Sequence, residues 1–404
     1  MRRILSNSAI QLVGKVVTAG FGFLTTLILA RVLGAEHFGV YTQVVSYIWL
    51  FFLLVDFGLN PLFIRETNDQ AKFTSQAPSF VAVRLLLGFT AALLAVAGAW
   101  LLTLFFDQFT PLFWSASVVA ILSIFGFTLQ QNALAMLQRK LSFVAAIVLQ
   151  VVAVITTFSI TALLLITSLA PDTQVMVALT AFSAGLLLSG VISGWLVWHE
   201  TRWRVHLNTK KLSYWLMMSA PLGLVLFINL LYFRIDVWIL TMYRSTAELG
   251  AYALSYKFFE FAISLPTLSM QAAFPQLIQA TGVVQKRIHR QLMISFFIVS
   301  LFVASGLFLG APFLTLIKGE YSQAIVPLQI LSLSVPIFFV TSPLMWDYIA
   351  SGKQQKLLPI YALGLISNVV LNLLLIPQFG ALAAAATTGL SELIILLAII
   401  KFKS

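Results

Sequence analysis

The chain has 404 residues, of which 60% are hydrophobic and only 9% charged, and its mean hydropathy is +0.99. This excludes a soluble domain of that size and points to a polytopic helical membrane protein, because the alternating strands of a membrane barrel carry only about half this apolar density. Cysteine is absent, which excludes a disulfide framework, a thiol nucleophile and a cysteine-based metal site, and the net charge of +11 reports loop placement rather than a nucleic-acid partner.

Met1 to Ser6 is a short basic start that runs into a full apolar stretch. That pattern predicts an uncleaved first transmembrane helix rather than a signal peptide. Twelve spans are predicted, over 8–30, 40–63, 77–105, 112–136, 142–169, 174–198, 213–242, 249–279, 289–317, 323–350, 356–376 and 381–401. Most are close to the ~20 residues a hydrocarbon core requires, and the longer ones can tilt. The connections are short, with no room for a soluble domain. With the N-terminus in the cytoplasm, 17 of the 24 Lys and Arg residues lie in inner segments and 3 (Arg31, Arg244 and Lys318) in outer loops. This asymmetry is the one that orients membrane proteins. It predicts a multi-pass protein of the cell (inner) membrane with both termini cytoplasmic.

The two halves echo each other. Phe38-Gly39-Val40-Tyr41 opens the second span as Leu249-Gly250-Ala251-Tyr252 opens the eighth, at an offset of 211 residues (250 − 39). Duplicated halves are a hallmark of secondary transporters, with the substrate site between them. The expected organisation is an N-terminal six-helix bundle over 1–200, a basic cytoplasmic linker over 201–212 and a C-terminal six-helix bundle over 213–404.

Polar residues recur at helical spacing in three spans. The first carries Asn7, Gln11, Lys15, Thr18, Gly22 and Thr25 on one face, and the eighth carries Tyr252, Tyr256, Glu260, Ser264 and Thr267. In the seventh, Asn229, Tyr232 and Asp236 share a face, while Arg234 points away from Asp236. Lys257, three residues before Glu260, can reach it. Charges at membrane depth cost at least a few kcal/mol, so they face partners or a water-filled cavity. One reading is a neutralised network, Arg234 with Glu260 and Lys257 with Asp236. The other is that Lys15, Arg234 and Lys257 line a cavity and bind an anionic headgroup, with Arg84 a further candidate cation that can also simply snorkel from the inner end of the third span. Asp236, Glu260 and the mid-span Glu392 are the candidates for ion coupling. Asn7, Gln11, Thr18, Asn229 and Tyr256 are the candidates for polar lining. Small and hydroxyl residues also glue membrane helices together, so a single Ser or Thr carries little weight.

Pro221, Pro266 and Pro275 near the junction of the halves, and Pro327, Pro336 and Pro343 in the tenth span, are expected to kink helices. No phosphate-cradling Gly-x-x-x-x-Gly-Lys-Ser/Thr loop is present. His37, His199, His206 and His289 stand apart, so no metal site is expected. The outer loops are too short for a catalytic domain. The chain is therefore expected not to be an enzyme and to need no cofactor beyond a coupling ion.

Four stretches carry a family resemblance. Leu29-Ala-Arg31-Val-Leu-Gly34-Ala-Glu-His-Phe-Gly39-Val-Tyr41 resembles the junction of the first two helices of Wzx-type oligosaccharide flippases. Asp56-Phe-Gly58-Leu-Asn-Pro-Leu-Phe-Ile-Arg65 resembles the inner end that follows. Arg234-Ile-Asp236 leading to Gly250-Ala-Tyr252 resembles their seventh and eighth helices. Asn372-Leu-Leu-Leu-Ile-Pro377-Gln-Phe-Gly380, followed by an Ala-rich run, resembles the start of the last; here Ala381 stands where Gly is common. The resemblance implies the multidrug/oligosaccharidyl-lipid/polysaccharide exporter (MOP) superfamily and its MATE-like fold, two six-helix bundles around a central cavity. It implies alternating access driven by an H+ or Na+ gradient. It also implies a lipid-linked oligosaccharide, carried on polyprenyl diphosphate, as substrate, with membrane lipids and other polysaccharide-assembly membrane proteins as partners. The competing expectations are a drug or cation antiporter of the same fold, which would favour an acidic cavity, and a membrane-embedded glycosyl-transfer enzyme, which would favour long outer loops.

Overall fold

The computed structural model describes residues 2–202, 209–279, 282–351 and 353–403, with side chains for 11–202, 209–271, 290–349, 351, 353 and 355–402. Every regular element among these residues is helical: α1 (Arg2–Asp56), α2 (Leu59–Glu66), α3 (Gln70–Phe105), α4 (Pro111–Arg139), α5 (Phe143–Leu163), α6 (Pro171–Thr201), α7 (Thr209–Tyr243), α8 (Thr246–Gln279), α9 (Gly282–Gly310), α10 (Ile325–Ala350), α11 (Leu357–Phe379) and α12 (Ala381–Lys403). Short 3-10 turns fill parts of the connections. Ten helical stretches among the described residues are long and apolar enough to cross a membrane. The first of these is broken at Gly34 and so supplies two crossings. The 34-residue α8 has the length of another, with a polar stripe along it. Among the described residues this gives eleven apolar stretches of spanning length, with α8 a twelfth by length alone.

Helix ends follow local chemistry. α3 begins at residue 70, earlier than its apolar stretch suggests, because the Asp69 carboxylate accepts from Lys72 N–H at 2.7 Å. Thr110 caps α4 in the same way, with Pro111 in its first turn. Proline does not end α7 or α10, which run on through Pro221 and through Pro336 and Pro343. Pro275 and the linker residues 203–208 lie outside the described side chains.

By packing, the chain forms two compact units, Met1–Leu33 with Val40–Phe227, and Gly34–Gly39 with Ile228–Ser404. The division falls inside α7. In the first unit α4 packs closely on α6, α5 on α6 and α3 on α4. Small residues make this approach feasible: a Cβ on Gly190 would fall 2.6 Å from the Gly126 Cα. Hydroxyl and amide groups then bond across the seam, Ser183 to the Val119 carbonyl at 2.9 Å and Gln130 to Ser189 at 2.7 Å. Lipid gives no hydrophobic drive between helices, so van der Waals fit and such bonds hold them. The N-terminal part of α7 belongs here through Trp215, which is fully buried, lies edge-on to Phe80 and donates to Ser79 at 3.3 Å.

In the second unit α10 packs against α8, α9 and α12, and α11 against α12. Two helix breaks in this unit share one construction. Gly34 (φ 72°) precedes Ala35, whose N–H donates to the Glu320 carboxylate at 2.9 Å. Gly380 (φ 56°) precedes Ala381, whose N–H donates to the Glu248 carboxylate at 2.7 Å. Glycine reaches these backbone angles without a Cβ penalty, and a distant carboxylate satisfies the N–H that the break exposes. A basic residue neighbours each carboxylate: Lys318 lies 3.2 Å from Glu320 and Arg244 3.9 Å from Glu248.

Candidate functional site

The polar centre of the second unit is built from α7, α8, α10, α11 and α12. Helical spacing puts Tyr232 and Asp236 on one face of α7 and turns Arg234 elsewhere. Asp236 is buried at 4% exposure. It accepts from the Tyr252 hydroxyl and, at 2.8 Å, from the Val237 N–H. Thr388 on α12 neighbours the Tyr252 hydroxyl and donates to the Ala384 carbonyl at 2.9 Å. The expected Lys257–Asp236 pair does not form, because Asp236 is taken by Tyr252, which comes from the same helix as Lys257.

Both cations go to Glu260 instead. Arg234 Nη2 lies 3.7 Å from one carboxylate oxygen and Lys257 Nζ 3.1 Å from the other. The Lys257 contact is the three-residue spacing on α8, while Arg234 reaches across from α7. The three side chains keep 27% (Arg234), 33% (Lys257) and 39% (Glu260) of their surface accessible. A formal charge of +1 remains on the cluster, and each partner retains hydrogen-bonding capacity.

Glu392 has an identified partner. The Tyr232 hydroxyl donates to it at 2.7 Å and Thr341 is a second hydrogen-bonding neighbour. Next to Thr388, Thr387 donates to Asn372 at 2.5 Å and Asn372 donates to Asn368 at 2.9 Å. Among the described residues no three His, Cys, Asp or Glu gather as metal ligands. Around Asp236 the structure gathers a carboxylate and the Tyr252 hydroxyl in a buried setting. Tyr256 is buried and donates weakly to the Phe233 carbonyl at 3.4 Å, whereas Asn229 is exposed.

The remaining candidates belong to the first unit. Lys15 is exposed on α1, and Gln11 and Thr18 are partly exposed. The Thr18 hydroxyl donates back to the Gly14 carbonyl at 3.0 Å. The Asn7 side chain lies outside the described residues. Arg84 does not snorkel. It is fully buried, donates to the Gln131 carbonyl at 2.9 Å and lies over the Phe80 ring at 4.6 Å. The Phe80 ring, the Gln131 carbonyl and the nearby Asp56 carboxylate hold its charge inside the bundle, so in this structure it presents no surface to a substrate.

Sequence reasoning missed the ties made by Tyr252, Glu248, Glu320, Asn368, Asn372, Thr387 and Thr388. Asn368 and Asn372, four residues apart in an apolar helix, were the signal available for the α11 site. The two carboxylate caps leave none, since each joins positions far apart in the chain.

Comparison with known proteins bears on the family and the fold. A family model described as "Polysaccharide biosynthesis protein" matches residues 4–281. The chain is 22% identical over 395 residues to a Shigella dysenteriae protein named "Putative O-antigen transporter", covering 94% of this chain and 95% of that one. Among solved structures it is similar to the lipid II flippase MurJ in an inward closed conformation (TM-score 0.83, 13% identity, 98% of this chain and 88% of that one). It is also similar to an inward-facing multidrug resistance MATE family transporter of the MOP superfamily (TM-score 0.73, 11% identity, 98% and 97%). At these identities the structures show the fold: a two-bundle, MATE-like helical membrane protein.

Proposed function

Because the chain belongs to the polysaccharide biosynthesis protein family, we propose that it is a flippase moving an oligosaccharide linked to polyprenyl diphosphate from the cytoplasmic to the outer leaflet for surface polysaccharide assembly. The observation that carries this reading is the Arg234–Lys257–Glu260 cluster, two accessible cations sharing one carboxylate within membrane-spanning helices. A diphosphate entering the membrane must exchange its water for donors, and Arg and Lys supply charge-assisted ones. The name of the Shigella dysenteriae relative supports the same substrate class. Lys15 is a further anion contact in this reading.

The sixfold-plus-sixfold organisation suits alternating access. Asp236 and Glu392, buried carboxyls held by tyrosine hydroxyls, are the groups that take up a coupling H+ or Na+. The membrane is the cell (inner) membrane, with both termini cytoplasmic, as the placement of Lys and Arg indicates. Other polysaccharide-assembly membrane proteins are its partners in this reading, and no covalent step on the substrate is required of it. The test is genetic. Deletion should remove surface glycan while lipid-linked oligosaccharide accumulates on the cytoplasmic side, and the intact chain should restore export. Normal surface glycan in the deletion strain contradicts the reading.

A further inference from the structure

Among the described residues Glu260 is the acidic group that contacts both cations, and the contact is divided: one oxygen faces Arg234 at 3.7 Å, the other Lys257 at 3.1 Å. Two oxygens of one anion, each turned to a different cation, reproduce the way a diphosphate would bridge the same pair. Full burial would desolvate such a trio at a cost and would close it to any ligand. Here all three side chains retain between 27% and 39% of their surface, so an incoming ligand can reach them. Asp236, by contrast, is buried and hydrogen-bonded to Tyr252 and Val237, and the ion-pair contacts of both cations go to Glu260.

We infer that Glu260 is a tethered anion that occupies the diphosphate subsite when substrate is absent and is displaced by it. This rests on the reading of Arg234 and Lys257 as the headgroup site. The consequence is a negative one for affinity. Binding must break two ion pairs before new ones form, so Glu260 weakens substrate binding and helps expel the headgroup when the carboxylate returns. Exchange of one charge-assisted contact for another changes free energy less than making a contact where none existed. The binding step is thereby kept nearly balanced, as a carrier that must release its cargo requires. The recognised chemistry is a diphosphate, from either free pyrophosphate or a prenyl-linked headgroup.

The test uses the full chain in detergent or nanodiscs, with inorganic pyrophosphate and farnesyl diphosphate as separate probes. Glu260→Gln keeps the shape and removes the competing charge. It should tighten the Kd for both probes about tenfold while slowing turnover of lipid-linked oligosaccharide. If farnesyl diphosphate alone tightens, the occupant is the lipid-borne headgroup. Because the chain has no cysteine, Glu260→Cys gives a second arm. Its affinity should be high, should fall back toward wild type after modification with a sulfonate-bearing methanethiosulfonate, and should stay high after modification with the neutral methyl reagent. Unchanged or weaker binding in Glu260→Gln, with a wild-type melting temperature, overturns the tethered-anion proposal while leaving the headgroup site intact. If the wild type binds neither probe, and neither Glu260 variant does, the headgroup site itself is refuted and the tethered anion with it.

Discussion

Gly39 and Gly250 lie backbone to backbone within the second unit. A Cβ on Gly39 would overlap the Thr246 carbonyl, and a Cβ on Gly250 would overlap the Ala35 carbonyl. Both contacts connect positions related by the offset of 211 residues, since 35 and 246 differ as 39 and 250 do. Residue for residue, each of these two short segments presents to the other the surface it receives. That reciprocity is what a two-fold relation between like segments produces. It gives a physical reason for the sequence echo around Gly39 and Gly250: the two openings are alike because they pack on each other.

Substituting either glycine should therefore be costly. Gly39→Ala or Gly250→Ala sets a methyl against a carbonyl that belongs to backbone and cannot rotate away, a strain of about 1–3 kcal/mol. Gly20, with nothing within 4 Å of its would-be Cβ, is the control. Melting temperatures of the purified variants should fall for Gly39 and Gly250 and stay level, or rise slightly, for Gly20→Ala. Equal melting temperatures for all three would remove the close-approach argument.

The paired helix breaks predict local rather than global effects. Glu320→Ala removes the acceptor from the Ala35 N–H, and Glu248→Ala removes it from the Ala381 N–H. A lost cap costs about 0.5–2 kcal/mol, and the 51% exposure of the Glu320 side chain places it toward the lower end. Amide exchange should accelerate in the turn after Gly34 in the first variant and after Gly380 in the second, each without change at the other. Uniform acceleration through both breaks would show that the carboxylates act through overall stability instead.

Much of the architecture was legible because membrane spans follow from apolar length alone. Charge pairing was only half legible. Helical spacing correctly allowed Lys257 to meet Glu260, and the neutralised-network reading had Arg234 with Glu260. Spacing within α8 put Tyr252 on the polar stripe but could not reveal that it would take Asp236, since the partner lies on another helix. Arg84 misled for a similar reason. Its position near a helix end suggested snorkelling, whereas Phe80 and the Gln131 carbonyl, from α3 and α4, enclose it.

The Asp236–Tyr252 bond should behave as a unit. Tyr252→Phe leaves a buried carboxylate short of a donor, at a cost of about 1–3 kcal/mol. Asp236→Asn alone leaves the tyrosine hydroxyl a weaker acceptor. In the double variant the losses should be less than additive, since the second substitution removes what the first left unpaired. Denaturation of the two single variants and the double variant measures this coupling. Strict additivity would mean that the two groups do not support each other.

Translocation itself gives the most direct test. Purified protein in vesicles, loaded on one leaflet with an oligosaccharide carried on polyprenyl diphosphate, should move it to the other leaflet under an imposed H+ or Na+ gradient. Arg234→Ala and Lys257→Ala should abolish that movement while remaining folded. Translocation at the wild-type rate by both variants would contradict the account.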